Sequence, residues 1–151
     1  MRKFNELGLE LCKMQATIFA QSRSKIEGSS YLFIKQYMNS EVCKKLDQLT
    51  YVYENNDLIN ELDVKNKGNY KLSEDVLYWI GYVYRYWAYT YELSSKKIYK
   101  IVPGKEMASL YEPYHTMDPS AAIERIYEFK NIQKPLSQLE ILRINYKKYR
   151  K

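Results

Sequence analysis

The sequence predicts an all-α fold, a compact single-domain bundle of about seven helices around one central aromatic helix at about residues 74–91. Three observations predict it. All four prolines (Pro103, Pro113, Pro119 and Pro135) come after residue 102, so no proline interrupts a helix before that point. Apolar residues recur at three- and four-residue spacings, whereas no alternating strand pattern bounded by turns persists. A length of 151 residues, with 46% hydrophobic and 28% charged side chains, suits one domain with a sizeable core.

The elements follow in order. Phe4, Leu7, Leu11, Met14 and Ile18 form one apolar stripe, which predicts a first helix over about residues 3–22. Gly28-Ser29-Ser30 breaks the chain, and Ser30 is placed to cap a short helix with Phe33, Ile34, Tyr37 and Met38 inward. Asn39-Ser40 restarts a helix through Val42, Cys43 and Leu46. A short helix is expected over residues 56–64 with Leu58, Ile59 and Leu62 inward, followed by a polar loop over residues 65–69. Ser73 is a good N-cap, and Glu74 and Asp75 put negative charge in the first turn, where the helix dipole favours it. The helix they open is apolar all round, as expected of a helix packed on several sides.

After it, Ser94 caps a segment containing Ile98, Tyr99 and Ile101, and Pro103 suits the first turn of one leading to Met107, Leu110 and Tyr111. Asp118-Pro119 is a cap followed by a first-turn proline, with Ala122, Ile123, Ile126 and Phe129 inward. Ser137-Gln138-Leu139-Glu140 is a capping box that opens a last helix. Leu139, Leu142, Tyr146 and Tyr149 share one of its faces, and Arg143, Lys147 and Arg150 lie on the other. Residues 1–130 thus read as the helical domain. Residues 131–151 read as a basic amphipathic helix, part of that domain or appended to it.

Charge is uneven. The net charge is +6. From residue 130 onward there are seven basic residues (Lys130, Lys134, Arg143, Lys147, Lys148, Arg150 and Lys151) and one acid, Glu140, so the remainder of the chain is neutral. A neutral body with a basic tail argues against a uniformly basic nucleic-acid coat and leaves a local contact for an acidic partner. Tyrosine is the compositional outlier, with 17 residues against 4 Phe and 2 Trp. Six of them (Tyr78, Tyr82, Tyr84, Tyr86, Tyr89 and Tyr91) fall on the aromatic helix. Such a chain either buries many rings with bonded hydroxyls or displays an aromatic surface.

No apolar run approaches the ~18 residues of a membrane span, and the N-terminal residues lack a signal-peptide core. Cys12 and Cys43 are too few for a disulfide framework or a zinc site. A cytoplasmic, reduced protein without metal or other cofactor is the expectation.

Signals for catalysis are sparse. His115, the one histidine, has Asp118 three residues on, which would suit an acid–base pair in a pocket; a structural His beside a helix-capping Asp is the plainer reading. No nucleophile elbow or phosphate-cradling glycine loop occurs. Both cysteines fall on predicted helices, as small buried hydrophobes do. Arg85 stands among tyrosines, with Tyr78 and Tyr89 at helical spacings. It either grips a partner as part of an arginine–tyrosine surface or stacks on rings while paired with a carboxylate such as Glu92 or Asp118. Lys96, Lys97, Lys100 and Lys105 form a second basic group, a phosphate contact or a solvated face.

Four segments carry a family resemblance. Phe33-Ile34-Lys35-Gln36-Tyr37-Met38-Asn39-Ser40, the aromatic helix LYWIGYVYRYWAYTY over residues 77–91, SSKKIYK over 94–100 and YEPYHTMDPSAAIERI over 111–126 resemble the motifs of a family of small helical bacterial proteins. Its members look like antitoxin components of two-gene toxin–antitoxin modules. The second half is also similar, through its S-K-x-x-Y and H-T pattern, to a shorter helical family found beside genes for ADP-ribosyltransferase-like toxins. The resemblance spans about residues 11–128 and carries over no catalytic residues. It implies an antitoxin-like protein that neutralises a toxin enzyme by direct contact. Tyr78, Arg85, Tyr89, Arg143, Tyr146, Lys147, Tyr149 and Arg150 are the candidate contact residues. A nucleic-acid-binding regulator using the basic C-terminal helix, and a small enzyme with a pocket around His115 and Asp118, are the alternatives.

Overall fold

A computed structural model describes residues 2–49, 68–135 and 138–149, with side chains described for all of these except 138, 139 and 149. The helices expected over residues 56–64 and the loop residues 65–67 lie outside this set, as do Ser137 and Arg150. Nine helices and no strands occur among the described residues. They are α1 (Glu6–Lys25), α2 (Ser30–Met38), α3 (Glu41–Asp47), α4 (Glu74–Tyr91), α5 (Ser95–Ile101), α6 (Gly104–Ser109), α7 (Tyr111–Tyr114), α8 (Pro119–Lys130) and α9 (Gln138–Tyr149). None is long and apolar enough to cross a membrane.

The aromatic helix α4 organises the core as expected. Ser73 caps it by accepting from Val76 N, Glu74 and Asp75 occupy its first turn, and eleven of its residues are buried, among them Leu77, Val83, Tyr84 and Trp87. Helix α1 lies antiparallel along it. Gly8, near the start of α1, meets Tyr89; Gln15 Nε2, at its middle, donates to Gly81 O at 2.9 Å; and Arg23 Nη1, near its end, donates to Leu72 O at 2.7 Å.

The face that α1 offers matches the predicted stripe only in part: Leu11 is buried and Phe4, Met14 and Ile18 pack against the core, but the centre of the contact lies elsewhere. Gly8, Leu11, Cys12, Gln15, Ala16, Phe19 and Ser22 are buried, whereas Leu7 is half exposed. Gly8, Cys12 and Ala16 recur every fourth residue, and these small side chains let the two backbones approach. A Cβ on Gly81 would sit 2.8 Å from Phe19 Cγ and 2.9 Å from Gln15 O. The large apolar side chains Met14 and Ile18 flank the contact instead of forming it. The helix also starts and ends three residues later than predicted, because Asn5 caps it at Gly8 N.

Helices α2, α3 and α5 to α8 pack around this pair. Ser29, not Ser30, caps α2; Ser30 is buried and its hydroxyl accepts from Leu72 N at 3.0 Å. Ser40, in the Asn39-Ser40 pair expected to restart a helix, caps α3, and Ser94 caps α5, as expected. Pro103 occupies the N-cap position of α6, one residue before the first turn it was expected to enter, and Leu110 separates α6 from α7. Asp118 caps α8 with Pro119 following it, again as expected. The fourth inward residue of α8 is Tyr127, not Phe129. Tyr127 continues the arc of Ile123 and Ile126 and accepts from Trp87 Nε1 at 2.8 Å, while Phe129, at the edge of the arc near the helix end, keeps 74% of its surface exposed.

Candidate functional site

The buried tyrosines account for their hydroxyls. Tyr84 donates to Val102 O at 2.6 Å, Tyr89 to Asn5 Oδ1 at 2.7 Å and Tyr37 to Gln15 Oε1 at 3.1 Å. Among the described residues no buried side-chain nitrogen or oxygen lacks a partner. Most of the tyrosine excess in α4 is therefore core chemistry, while Tyr78 stays 41% exposed and stacks on Tyr82.

Arg85 is buried, which takes it out of any contact surface. Its carboxylate is neither Glu92 nor Asp118 but Asp47, at the end of α3, bonded through Nη1 at 2.7 Å. Three more of its five N–H groups have acceptors. Nε donates to Gln15 Oε1 at 3.0 Å, and Nη2 donates to Cys43 Sγ at 3.2 Å and Ser95 Oγ at 3.3 Å. Ser95 in turn donates its hydroxyl to Asp47 Oδ1 at 2.6 Å and its N–H to Oδ2 at 2.8 Å. Burial works against the charge of Arg85, and Cys43, Tyr37 and Asp47 more than reverse it, so its pKa lies above the usual guanidinium value. One network thus ties α1, α3, α4 and α5 together.

This network contains a hydroxyl, a thiol and a carboxylate, yet it is arranged for structure. The Ser95 proton is committed to Asp47, and neither described cavity is lined by Arg85, Asp47, Cys43 or Ser95. Burial pushes the Cys43 thiol up to about 11 and the Cys12 thiol up to about 12, so both are neutral at physiological pH and poor nucleophiles.

The structure does not bring Tyr78, Arg85 and Tyr89 together. Arg85 points toward α3 and α5, whereas Tyr89 is 4% exposed and packs against Phe4, with the Arg2 guanidinium 4.6 Å above its ring. Tyr78 alone of the three is surface. His115 is exposed and stacked on Tyr111 at 4.3 Å, with Nδ1 2.7 Å from Tyr111 O. Because a carbonyl only accepts, that bond places the proton on Nδ1. Asp118 is occupied by Ser120 N and Oγ at 3.0 and 2.9 Å. The described cavities are lined by Glu124, Tyr127, Glu128 and residues 131–134, and by Leu7, Glu10, Leu11, Met14, Leu46 and Leu49; neither includes His115 or Asp118. Among the described residues no group of three His, Cys, Asp or Glu side chains could hold a metal ion.

Of the C-terminal candidates, Arg143, Tyr146, Lys147 and Tyr149 lie on α9, where every described side chain from 140 to 148 is exposed. Leu142 and Tyr146 are each 65% exposed, four residues apart on one face, with Arg143 and Lys147 beside them. Ile141 and Ile144 are also exposed.

Three features escaped sequence reasoning: Asp47 as the partner of Arg85, the buried Gln15, and the small-residue face of α1. A glycine inside a helix as apolar as α4 is a signal for close packing, and it points to the third. Set against protein families, curated proteins and solved structures, the chain matches none.

Proposed function

We propose that this chain is an antitoxin-like binding protein that neutralises a partner toxin enzyme by direct protein–protein contact. The observation that carries the reading is α9, a 12-residue helix with Leu142 and Tyr146 exposed on one face and cations alongside. Exposed apolar side chains grouped on a charged helix mark an interaction surface more often than isolated ones do. An apolar groove with an acidic rim complements them, since the helix lays its ring and leucine into the groove while Arg143 and Lys147 meet the rim. The motif resemblance supplies the class of partner, a toxin enzyme encoded nearby and ADP-ribosyltransferase-like. Arg85 drops out of the contact set because it is buried, and Tyr78 remains as a second exposed ring.

The test is co-expression of the full chain with the product of the adjacent gene, read by pull-down and by growth. A stable complex and restored growth are expected. Leu142→Asp/Tyr146→Asp should lose both while the thermal midpoint stays within a degree or two of the parent, on the order expected for exposed positions. No complex and no restored growth with the parent chain would end this reading.

A further inference from the structure

The fold gathers lysines that the sequence keeps apart. Lys44 and Lys45 are exposed on α3, and Lys96, Lys97 and Lys100 are exposed on α5. Asp47 lies one turn beyond Lys44, and it accepts both the N–H and the hydroxyl of Ser95, the residue immediately before Lys96. The end of α3 is thereby pinned to the start of α5, and the two lysine groups flank the junction. Asp47 is itself neutralised by Arg85. That leaves Glu41 as the remaining acid on the two helices against five lysines.

Some cations of the body meet carboxylates: Arg2 meets Glu92, Lys130 meets Glu106 and Lys134 meets Glu124, whereas, among the described residues, single lysines such as Lys3, Lys13 and Lys35 stand in no such pair and are not grouped as the α3 and α5 lysines are. Among the described residues, Lys44, Lys96, Lys97 and Lys100 are in no such pair. A neutral body therefore carries a local surplus of positive charge here.

The character of the surface separates two classes of acidic partner. Protein interfaces have an apolar centre and are poor in lysine. Here Val42, Leu46 and Ile98 are buried, and Tyr99 and Ile101 are half-buried, so exposed lysines dominate. Lysine meets phosphate as a point charge, and a row of phosphates rewards several such charges at once.

We propose that the α3–α5 surface binds the phosphate backbone of nucleic acid through Lys44, Lys45, Lys96, Lys97 and Lys100, without regard to base sequence. Contacts to phosphate carry no sequence information, so a surface that works through them reads charge rather than bases. The proposal does not rest on the toxin-partner reading, because α9 and this surface use different residues.

The experiment measures binding of the full chain to a labelled mixed-sequence duplex of about 20 base pairs by fluorescence anisotropy, over about 50–200 mM salt. Log affinity should fall linearly with log salt, by about 0.9 per phosphate contacted. Lys96→Gln/Lys97→Gln/Lys100→Gln should flatten that slope by about 2 to 3, and Lys44→Gln/Lys45→Gln by about 1 to 2, with the helical circular dichroism signal unchanged. The same two changes should appear in an Arg143→Gln/Lys147→Gln/Lys148→Gln background, which removes charge from α9. No binding at the lowest salt would overturn the proposal. So would slopes that only the α9 changes alter, or equal binding to a poly-glutamate peptide, which would assign the surface to acidic proteins.

Discussion

Arg85 and Asp47 form an ion pair inside the bundle, with Nη1 2.7 Å from Oδ1 and side-chain exposures of 2% and 12%. A buried pair of this kind adds little over a well-packed apolar pair, but breaking it strands a charge away from water. Asp47→Ala should therefore cost about 3–5 kcal/mol of stability at neutral pH, by urea denaturation. Arg85→Met/Asp47→Leu should cost clearly less than Asp47→Ala alone, since it removes the charge along with its partner. A double variant as unstable as the single one would show that the stranded cation is not the source of the loss.

Gly81 sets the separation of α1 and α4. A methyl group there would stand 2.8 Å from Phe19 Cγ and 2.9 Å from the Gln15 carbonyl oxygen, and the second of these is backbone that cannot swing aside. Alanine normally favours a helix by about 1 kcal/mol over glycine. Gly81→Ala should nevertheless destabilise by about 1–3 kcal/mol, the usual cost of overfilling a packed interior. A thermal midpoint equal to or above the parent's would mean the helices separate freely at this point.

These two sites mark where sequence reasoning was sharp and where it stopped. Caps such as Ser73, Ser94 and Asp118 were legible because a cap depends on neighbours within three residues. The burial of Arg85 was one of two open readings, and its partner was misassigned to Glu92 or Asp118. Asp47 lies 38 residues away, and only the packing of α3 against α5 delivers it. The α1 stripe was legible in part, with Leu11 buried and Phe4, Met14 and Ile18 packed beside it, and what it missed has a related reason. Hydrophobic periodicity weighs side-chain size, whereas close helix approach selects the small residues Gly8, Cys12 and Ala16. The amphipathic pattern of α9 was legible, but a partner-binding role and a packing role leave the same stripe in a sequence.

His115 offers a clean discrimination between binding and catalysis. Its ring is exposed, stacks on Tyr111 and spends Nδ1 on the Tyr111 carbonyl. His115→Ala should change stability by no more than about 0.5 kcal/mol, as is usual for exposed positions. Complex formation and growth restoration in co-expression should match the parent. Loss of growth restoration with the complex intact would instead place His115 in a chemical step.

Alkaline pH should destabilise the fold. Burial raises Cys43 from the ordinary thiol value of 9.0 to about 11, and Cys12 to about 12. Burial, with Glu124 and the neighbouring Tyr127 and Tyr86, raises Tyr91 from 10.0 to about 12; burial raises Tyr84 as well. In the unfolded chain these groups lose their protons near 9 and 10. The folded chain therefore holds more protons above pH 9, and stability falls as pH rises. The contribution is complete below about pH 9 and is lost progressively up to about pH 11–12. Urea midpoints should be level from about pH 7 to 8.5 and drop steadily beyond pH 9. In the same window the two free thiols should resist a thiol reagent in the native chain and react fully in denaturant. Rapid native-state reaction at pH 8 would contradict the burial of Cys12 and Cys43, and with it the predicted alkaline loss.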